Sequence, residues 1–216
     1  MKNKPLILIG GGGHCVACID VIEQENKFVI KGILDTEAMI GKQILGYPVL
    51  GTDGMITDLV KEGFYFLITV GQIKSAAIRK RIFENLKAHE ANMAIVISPR
   101  SYISAHSLIG EGSVVMHGAI INAGVTIRVN AIINSNSLIE HETVIGNHCH
   151  ISTAAVVNGN VKVGDEVFVG SGSVLSNNIE IAPRTVIGAG AVVTKSITEA
   201  GTYAGNPYRL IAQEQH

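Results

Sequence analysis

Aliphatic side chains recur at every sixth position from residue 97 to residue 193, and no position of this frame is polar. Four positions after each frame residue the side chain is mostly small or β-branched, as at Ala119, Ser137 and Thr185. A fixed short period with one obligatory aliphatic position is typical of a parallel β-helix built from hexapeptides, in which three hexads form one triangular coil. Strands of a β-sandwich would instead alternate with a period of two. The pattern therefore predicts a β-helix over residues 97–196, with an inward-facing frame of Ile97, Ile103, Ile109, Val115, Ile121, Ile127, Ile133, Ile139, Ile145, Ile151, Val157, Val163, Val169, Leu175, Ile181, Ile187 and Val193.

Before residue 97, short apolar runs alternate with longer amphipathic segments. The runs predict strands at 6–9, 28–34, 65–70 and 93–97, and the segments between them predict helices at 14–25, 52–61 and 74–89. Because strands and helices alternate, we expect a small parallel sheet and a Rossmann-like α/β domain over residues 1–96. A turn-containing connection is expected at 44–51. Beyond the repeats, residues 197–216 are predicted to cap the last coil, with a short helix at 208–213.

A run of four glycines, Gly10 to Gly13, follows the first predicted strand and opens the first helix. Glycine lets the backbone approach a phosphate, and a helix N-terminus offers free N–H groups. Asp35 ends the second strand, where its carboxylate would bind a ribose or sugar hydroxyl, and Gly71 ends the third. Cys15 occupies the third glycine position of a dinucleotide fingerprint, which favours a nucleotide sugar or related ligand. The alternative is a tight strand–helix turn that binds nothing.

Composition narrows the class of protein. The chain has 216 residues, 47% of them hydrophobic, and a formal net charge of −1, which gives no electrostatic case for nucleic acid or an anionic membrane as a partner. No apolar segment is long enough to span a bilayer, and no signal peptide is visible. Three cysteines, an odd number, favour free thiols in a reducing compartment. We therefore expect a cytoplasmic location.

One histidine stands out when the hexad frame is laid over the sequence. His141 lies two residues after the inward Ile139, at an outward or corner position, and is flanked by Glu140 and Glu142. A coil of about eighteen residues puts the small residues Ala123 and Gly159 above and below it. An imidazole titrates near neutral pH, and a neighbouring carboxylate orients it and raises its basicity, so His141 is a candidate general base. His117 has the same position after Val115 but lacks flanking carboxylates.

Two other groupings of polar residues suggest metal or redox chemistry only at first sight. His148, Cys149 and His150 are adjacent, but consecutive residues of a strand point to opposite faces, and Cys149 takes the small inward slot. We therefore predict no metal site. Cys15 and Cys18 form a C-x-x-C, but one lies in a glycine-rich turn and the other on a helix, which favours packing over redox chemistry.

The motifs of both halves resemble those of one family. The hexads, the run Asn134 to Glu142, the following Ile145-Gly146 and His150-Ile151-Ser152, and Gly205-Asn206-Pro207 resemble the left-handed β-helix sugar acetyltransferases. That family includes bacillosamine-pathway UDP-4-amino-sugar N-acetyltransferases, perosamine N-acetyltransferases and sialic acid O-acetyltransferases. The resemblance covers nearly the whole chain and implies acetyl-CoA as co-substrate.

The resemblance also implies residue roles. His141 matches the general base and Glu142 the carboxylate that tunes it. The acetyl-CoA groove, which lies between two β-helices of a homotrimer, is matched by His150, Gly159, Ser171 and Ala189. The nucleotide sugar is matched by Gly12, Gly13, His14, Asp35 and Gly71. Two departures, Cys15 in place of Gly and Thr36 in place of a second Asp, both fall in the sugar-nucleotide half.

These observations support an ordered set of functions. The first is direct acetyl transfer from acetyl-CoA to a nucleotide-linked 4-amino sugar, for surface glycan biosynthesis. The second is O-acetylation of a sialic or related nonulosonic acid, since residues 156–160 resemble the sialic acid enzymes. A non-catalytic β-helix scaffold is the alternative from another class, but a scaffold needs neither the Glu-His-Glu corner nor the glycine loop.

Overall fold

The computed structural model describes residues 4–213. Its N-terminal part contains the strands β1 (Lys4–Ile9), β2 (Phe28–Leu34), β3 (Gln43–Ile44), β4 (Tyr47–Gly51), β5 (Tyr65–Ile68) and β6 (Asn92–Met93) and the helices α1 (Gly13–Glu25), α2 (Ile56–Lys61) and α3 (Ala77–Ala88). Single 3₁₀ turns lie at Glu37–Met39 and Asp53–Met55. The strands form one sheet in the order β3-β4-β2-β1-β5-β6, parallel throughout except at the β3–β4 hairpin on its edge.

The central strand β1 shows why this sequence forms a covered parallel sheet. Leu6 to Ile9 are all apolar and buried, because helices pack on both faces of the sheet. Leu6 and Leu8 face α1 and its buried Cys18, whereas Ile7 and Ile9 face α2 and α3. The carboxyl ends of β1, β2 and β5 therefore meet at one edge, which carries the glycine loop.

Three local predictions were wrong. Residues 44–51 do not form only a turn, because β4 pairs with β2 and extends the sheet. The strand predicted at 93–97 divides into β6, which ends the N-terminal sheet, and a strand at Val96–Ile97, which begins the β-helix. The helix predicted at 208–213 is a strand at Arg209–Gln213, because it pairs antiparallel with Gly201–Ala204. The outer residues of the predicted domains, 1–3 and 214–216, lie outside the described range.

The remaining strands are two-residue pieces that stack into three parallel sheets, the faces of a triangular β-helix. Face A contains β7 (Val96–Ile97), β10 (Val114–Val115), β13 (Ile132–Ile133), β16 (His150–Ile151), β19 (Phe168–Val169), β22 (Val186–Ile187), β24 (Gly201–Ala204) and β25 (Arg209–Gln213). Face B contains β8 (Tyr102–Ile103), β11 (Ile120–Ile121), β14 (Leu138–Ile139), β17 (Val156–Val157), β20 (Val174–Leu175) and β23 (Val192–Val193). Face C contains β9 (Leu108–Ile109), β12 (Thr126–Ile127), β15 (Val144–Ile145), β18 (Lys162–Val163) and β21 (Glu180–Ile181).

The hexad frame forms the core of the β-helix, as predicted. Each strand pairs with the strand one coil away, so that Val115 lies beside Ile133 and Ile133 beside Ile151. All frame residues from Val115 to Val193 are buried, and the small residues four positions later fill the space between them. At the far end Tyr203 and Tyr208 pack against this core. The ladder gives a rigid prism whose corners hold outward side chains at fixed positions.

The three faces differ in what they present outward. The first half of face A is covered by the N-terminal domain, and its outward Val114 and Ile132 pack with α1 residues in one cluster. Face C carries an exposed ion pair between Lys162 and Glu180, 2.7 Å apart. Face B has an apolar outward row that begins with the exposed Tyr102 and Ile120 and continues with partly buried side chains, Leu138, Val156, Val174 and Val192.

Specific polar contacts fix the N-terminal domain on the β-helix. The guanidinium of Arg79, on α3, is buried and donates to the carbonyls of Ile68 and Val70 and to the side-chain oxygen of Asn130, 2.6 Å away. His117, the rival candidate base, accepts from Ser98 Oγ through Nδ1 at 2.6 Å and donates through Nε2 to Asp20 on α1 at 2.8 Å. His117 therefore joins the two parts. Within residues 4–213 no helix has the length and apolar character needed to cross a membrane.

Candidate active site

His141 lies on the corner between faces B and C, directly after β14. Its side chain is 59% exposed, and Nδ1 lies 3.4 Å from Oε2 of Glu142. The position of Gly159, one coil further, explains why the ring fits here: a Cβ on that glycine would come within 2.6 Å of Nε2 of His141. Stacking over a glycine leaves the ring seated against the backbone of the next coil and open to solvent on its outer side.

The two carboxylates that flank His141 have different surroundings. Glu140 accepts a hydrogen bond from the side-chain amide of Asn122 at 2.9 Å, one coil earlier. Glu142 takes the left-handed turn conformation, with φ of 60°, and is the carboxylate beside the imidazole. Since a carboxylate at Nδ1 leaves Nε2 as the basic nitrogen, the Nε2 atom over Gly159 is the proton acceptor of this corner.

Gly159 also contributes a backbone donor. Neighbouring amides of the corner are paired, Asn158 with the carbonyl of Leu175 and Asn160 with that of His141. The amide of Gly159 itself donates to no acceptor in the described part of the chain. Asn177, one coil further again, is the next side chain in this stack, and the sequence analysis did not single it out.

A cavity of about 540 Å³ lies on face A beside the corner between faces A and B. Two predicted acetyl-CoA residues, Ser171 and Ala189, line it. Phe168 forms part of its floor, and Ile73 and Lys74 reach it from the loop after β5. The sequence analysis missed these three residues, although Lys74 follows the predicted strand-end Gly71 closely. We call this space the face A cavity.

The four predicted acetyl-CoA residues therefore divide between two corners of one chain. Ser171 and Ala189 line the face A cavity, and Gly159 lies under His141 at the far edge of face B. His150 is on face A but buried, with its ring 5.2 Å from that of Phe168. A single chain does not bring His141 and the face A cavity together.

Two histidines meet where the N-terminal domain covers face A. His14, at the start of α1, and His150 have ring centroids 6.4 Å apart. Nδ1 of His150 donates to the carbonyl of Gln72 at 2.7 Å, and Nε2 accepts from Asn134 at 3.2 Å. Burial lowers the pKa of His14 to about 3 and that of His150 to about 4, and the charge of Arg79 lowers both further. Both rings are thus neutral at pH 7.

Acidification should therefore destabilise the folded chain through these two rings. Their folded pKa values lie below the 6.5 of an unfolded histidine, so the stabilisation is complete above pH 6.5 and is lost as the pH falls toward 4. Each ring contributes about 1.4 kcal/mol per pH unit to the slope of unfolding free energy within that window. Urea unfolding between pH 7 and pH 5 should show a shallower slope for His150→Gln. The exposed His106→Gln is the control, and an equal slope in all three proteins would contradict this expectation.

The glycine loop has a close-packed part and an open part. At Gly10, with φ of 101°, a Cβ would collide with Val70, and at Gly11 it would collide with Ile44. At Gly12 and Gly13 a Cβ would meet nothing within 4 Å, so these backbones border open space at the N-terminus of α1. The first pair therefore allows the chain to turn, and the second pair is accessible to a ligand.

Asp35 helps to hold this loop. Its carboxylate accepts the amide of Gly11 at 2.5 Å and that of Thr36 at 2.6 Å. It also lines a cavity of about 480 Å³, the edge cavity, which lies at the carboxyl ends of β1, β2 and β5 and is bordered by α3. The other predicted sugar-nucleotide residues, Gly12, Gly13, His14 and Gly71, lie beside this cavity and do not line it.

The remaining candidate groups have structural surroundings. In the described range no cluster of three His, Cys, Asp or Glu side chains is arranged to hold a metal ion. The three cysteines are free and buried, and burial raises the pKa of Cys18 and Cys149 to about 12. Their thiols stay protonated at neutral pH. A cavity of about 600 Å³ on face C is lined by Lys162 and Glu180 and contains none of the predicted site residues.

Comparisons with known proteins match both halves of the chain. The family model described as PglD N-terminal domain matches residues 5–86, and that of the bacterial transferase hexapeptide matches residues 142–177 and 160–195. No curated protein matched the chain significantly.

Solved structures match over nearly the full length. The acetyltransferase domain of PglB from Neisseria gonorrhoeae FA1090 is 28% identical with a TM-score of 0.89, covers 97% of this chain and 100% of its own, and has also been solved with acetyl coenzyme A. PerB from Caulobacter crescentus, in complex with CoA and GDP-perosamine, is 28% identical with a TM-score of 0.88, over 95% of this chain and 96% of its own. A variant of perosamine N-acetyltransferase from the same organism is 26% identical with a TM-score of 0.88 over the same shares.

These similarities confirm the predicted fold, a Rossmann-like domain followed by a β-helix, and acetyl-CoA as the predicted co-substrate. The chain resembles the left-handed β-helix sugar acetyltransferases in both halves, and the prediction of an acetyl-CoA-dependent sugar acetyltransferase is confirmed.

Proposed function

We propose that this chain transfers the acetyl group of acetyl-CoA to the amine of a nucleotide-linked 4-amino sugar, with His141 as general base. The observation that carries the proposal is the B–C corner, where an exposed imidazole stands over Gly159 and beside the carboxylate of Glu142. A ring used only for packing needs no open basic nitrogen. His117 and His150, by contrast, are engaged in contacts between the two domains.

The residues of the corner account for one step of acyl transfer each. The sugar amine attacks the thioester carbonyl, a C–N bond forms, and Nε2 of His141 takes the proton that the amine loses. The free amide of Gly159 faces the position where negative charge develops on the carbonyl oxygen. The C–S bond then breaks and CoA leaves as a thiolate, which takes a proton, so no enzyme residue becomes acylated.

A second copy of the chain completes the site in this proposal. His141 is at one edge of face B, and the face A cavity with Ser171 and Ala189 is at the other. The outward row of face B is apolar, and it includes the exposed Tyr102 and Ile120. If a neighbouring copy packs on this face, its cavity meets His141, and the head-to-tail contact closes as a homotrimer.

The nucleotide sugar is proposed to bind at the edge of the N-terminal sheet. The open glycines Gly12 and Gly13 offer amides at the N-terminus of α1, which suits a diphosphate. His14 and Gly71 lie beside them, and Asp35 borders the edge cavity. The predicted boundaries, 1–96 for this domain, 97–196 for the β-helix and 197–216 for the cap, are kept as part of the proposal, as are a cytoplasmic location and a role in surface glycan biosynthesis.

Transfer to nitrogen is favoured over transfer to oxygen because a similar structure is that of a perosamine N-acetyltransferase solved with GDP-perosamine. An enzyme assay separates the alternatives. The protein is incubated with acetyl-CoA and UDP-, GDP- or dTDP-linked 4-amino sugars or CMP-sialic acid, and free CoA thiol is measured. Release of thiol with an amino sugar is the expected result. Release only with CMP-sialic acid would favour O-acetylation, and release with none of them would favour a scaffold.

A further inference from the structure

The edge cavity holds charged groups that have no partner in the protein. Arg81, on α3, lies on one side, and Glu37 and Asp53, in the turns after β2 and β4, lie on the other. None of the three side chains makes a hydrogen bond or ion pair within residues 4–213. At about 480 Å³ the cavity has the size of a small-molecule site. Opposite charges that share a cavity without pairing are available to a ligand that bridges them.

Charge fixes which end of a nucleotide enters this cavity. Asp35, Glu37 and Asp53 all border it and would repel a diphosphate. The N-terminus of α1 has the opposite character, since its cap residue Gly12 makes no side-chain cap and its first turn contains no acidic residue. The diphosphate therefore belongs at the open glycines, and the nucleoside extends along Gly10 into the edge cavity.

The hydrogen-bonding capacity of the cavity selects among bases. A carboxylate only accepts, and a guanidinium only donates in a fixed fork. Guanine offers two adjacent donors, N1–H and the 2-amino group, and on its other edge two adjacent acceptors, O6 and N7, which arginine binds in a bidentate manner. Uracil and thymine have a single donor between two carbonyls, and adenine and cytosine have no adjacent donor pair. Guanine alone has a pair for each type of side chain in this cavity.

The walls of the cavity suit a flat base. Ile78 and Ile82 extend from α3 on the same side as Arg81, and Ile78 is 55% exposed. A purine ring laid against these side chains removes apolar surface from water and leaves both of its edges free for the charged groups. We infer that the nucleotide sugar bound by this chain is a guanosine diphosphate sugar, recognised by Glu37, Asp53 and Arg81. This inference rests on the proposed function for the sugar but not for the base.

Calorimetric titration of the full chain with free nucleotides tests the inference without acetyl transfer. GDP should bind at least tenfold more tightly than UDP or dTDP. IDP, which lacks the 2-amino group, should fall between them. Equal or tighter binding of UDP or dTDP overturns the inference, and so does the absence of GDP binding.

Variants test the assigned residues. Glu37→Gln and Asp53→Asn should together lower the affinity for GDP at least fivefold and leave that for UDP unchanged. Glu62→Gln, an exposed carboxylate of the same domain outside the cavity, is the matched control. An unchanged ratio of GDP to UDP affinity in the paired variant overturns the assignment.

The outcome is distinguishable from failure of the proposed function. Acetyl transfer to a UDP- or dTDP-linked amino sugar, with weak GDP binding, overturns the guanine inference and leaves the proposed function intact. Tight and selective GDP binding without transfer to any sugar overturns the proposed function and leaves the guanine inference intact.

Discussion

Replacing His141 by alanine should lower kcat for acetyl transfer by about 10² to 10⁴-fold, the range found when a general base is removed. The loss should fall on kcat and not on the KM for acetyl-CoA, because the face A cavity lies at another corner of the chain. The variant should fold normally, since the side chain is 59% exposed and surface substitutions change stability little. Steady-state kinetics with a saturating amino sugar, together with a thermal unfolding curve, measure both quantities.

Two further variants make this result specific. His106 is an exposed histidine two coils earlier on the same corner, and His106→Ala should retain full activity. Glu142→Gln keeps the shape of the carboxylate but removes its charge beside Nδ1, so we expect a smaller loss than for His141→Ala. A His141→Ala protein with a kcat within threefold of the unchanged chain would rule out His141 as the base.

The β-helix and its reactive corner could be predicted because each hexad repeats the same local requirement. An inward position that must be aliphatic in every hexad fixes the register, and the register then places His141 outward and over Gly159. The sequence did not show which of the two flanking glutamates serves the imidazole. That depends on Asn122, one coil away, which engages Glu140.

The contacts between the two domains were not predictable in the same way. His150 lies outside the β-helix core, as expected, but the sequence gives no sign that Gln72 and His14 cover it. One signal was overlooked. Arg79 shares the spacing of the buried Ile82 and Leu86 on α3, which places it on the packed side of that helix.

Strand pairing between distant segments explains the other differences. β4 alternates buried and exposed residues but is interrupted by Pro48 and bounded by Gly46 and Gly51, which favour a turn when taken alone. The strand at Arg209–Gln213 is exposed along its whole length, and only its pairing with β24 makes it a strand. In both cases the partner strand, and not local propensity, decides the conformation.

The proposed sharing of the active site between copies has a consequence that single variants cannot reveal. Ala189 is exposed in the face A cavity, so Ala189→Trp should block acetyl-CoA without disturbing the core. His141→Ala leaves that cavity intact and removes the base. Each variant alone should therefore be inactive for a different reason. Co-expression with two different affinity tags, followed by purification on both, isolates assemblies that contain both variants.

Such mixed assemblies should regain about one third of the activity of the unchanged protein. In a head-to-tail trimer that contains both variants, one of the three sites pairs an intact His141 with an intact cavity, whichever variant is in excess. If both parts of a site came from the same chain, every site would carry a defect and activity would stay at the level of the single variants. An assembly of two differently tagged His141→Ala chains is the control for recovery caused by tagging. Recovery near one third thus supports both the trimer and the assignment of His141 and the face A cavity to neighbouring copies.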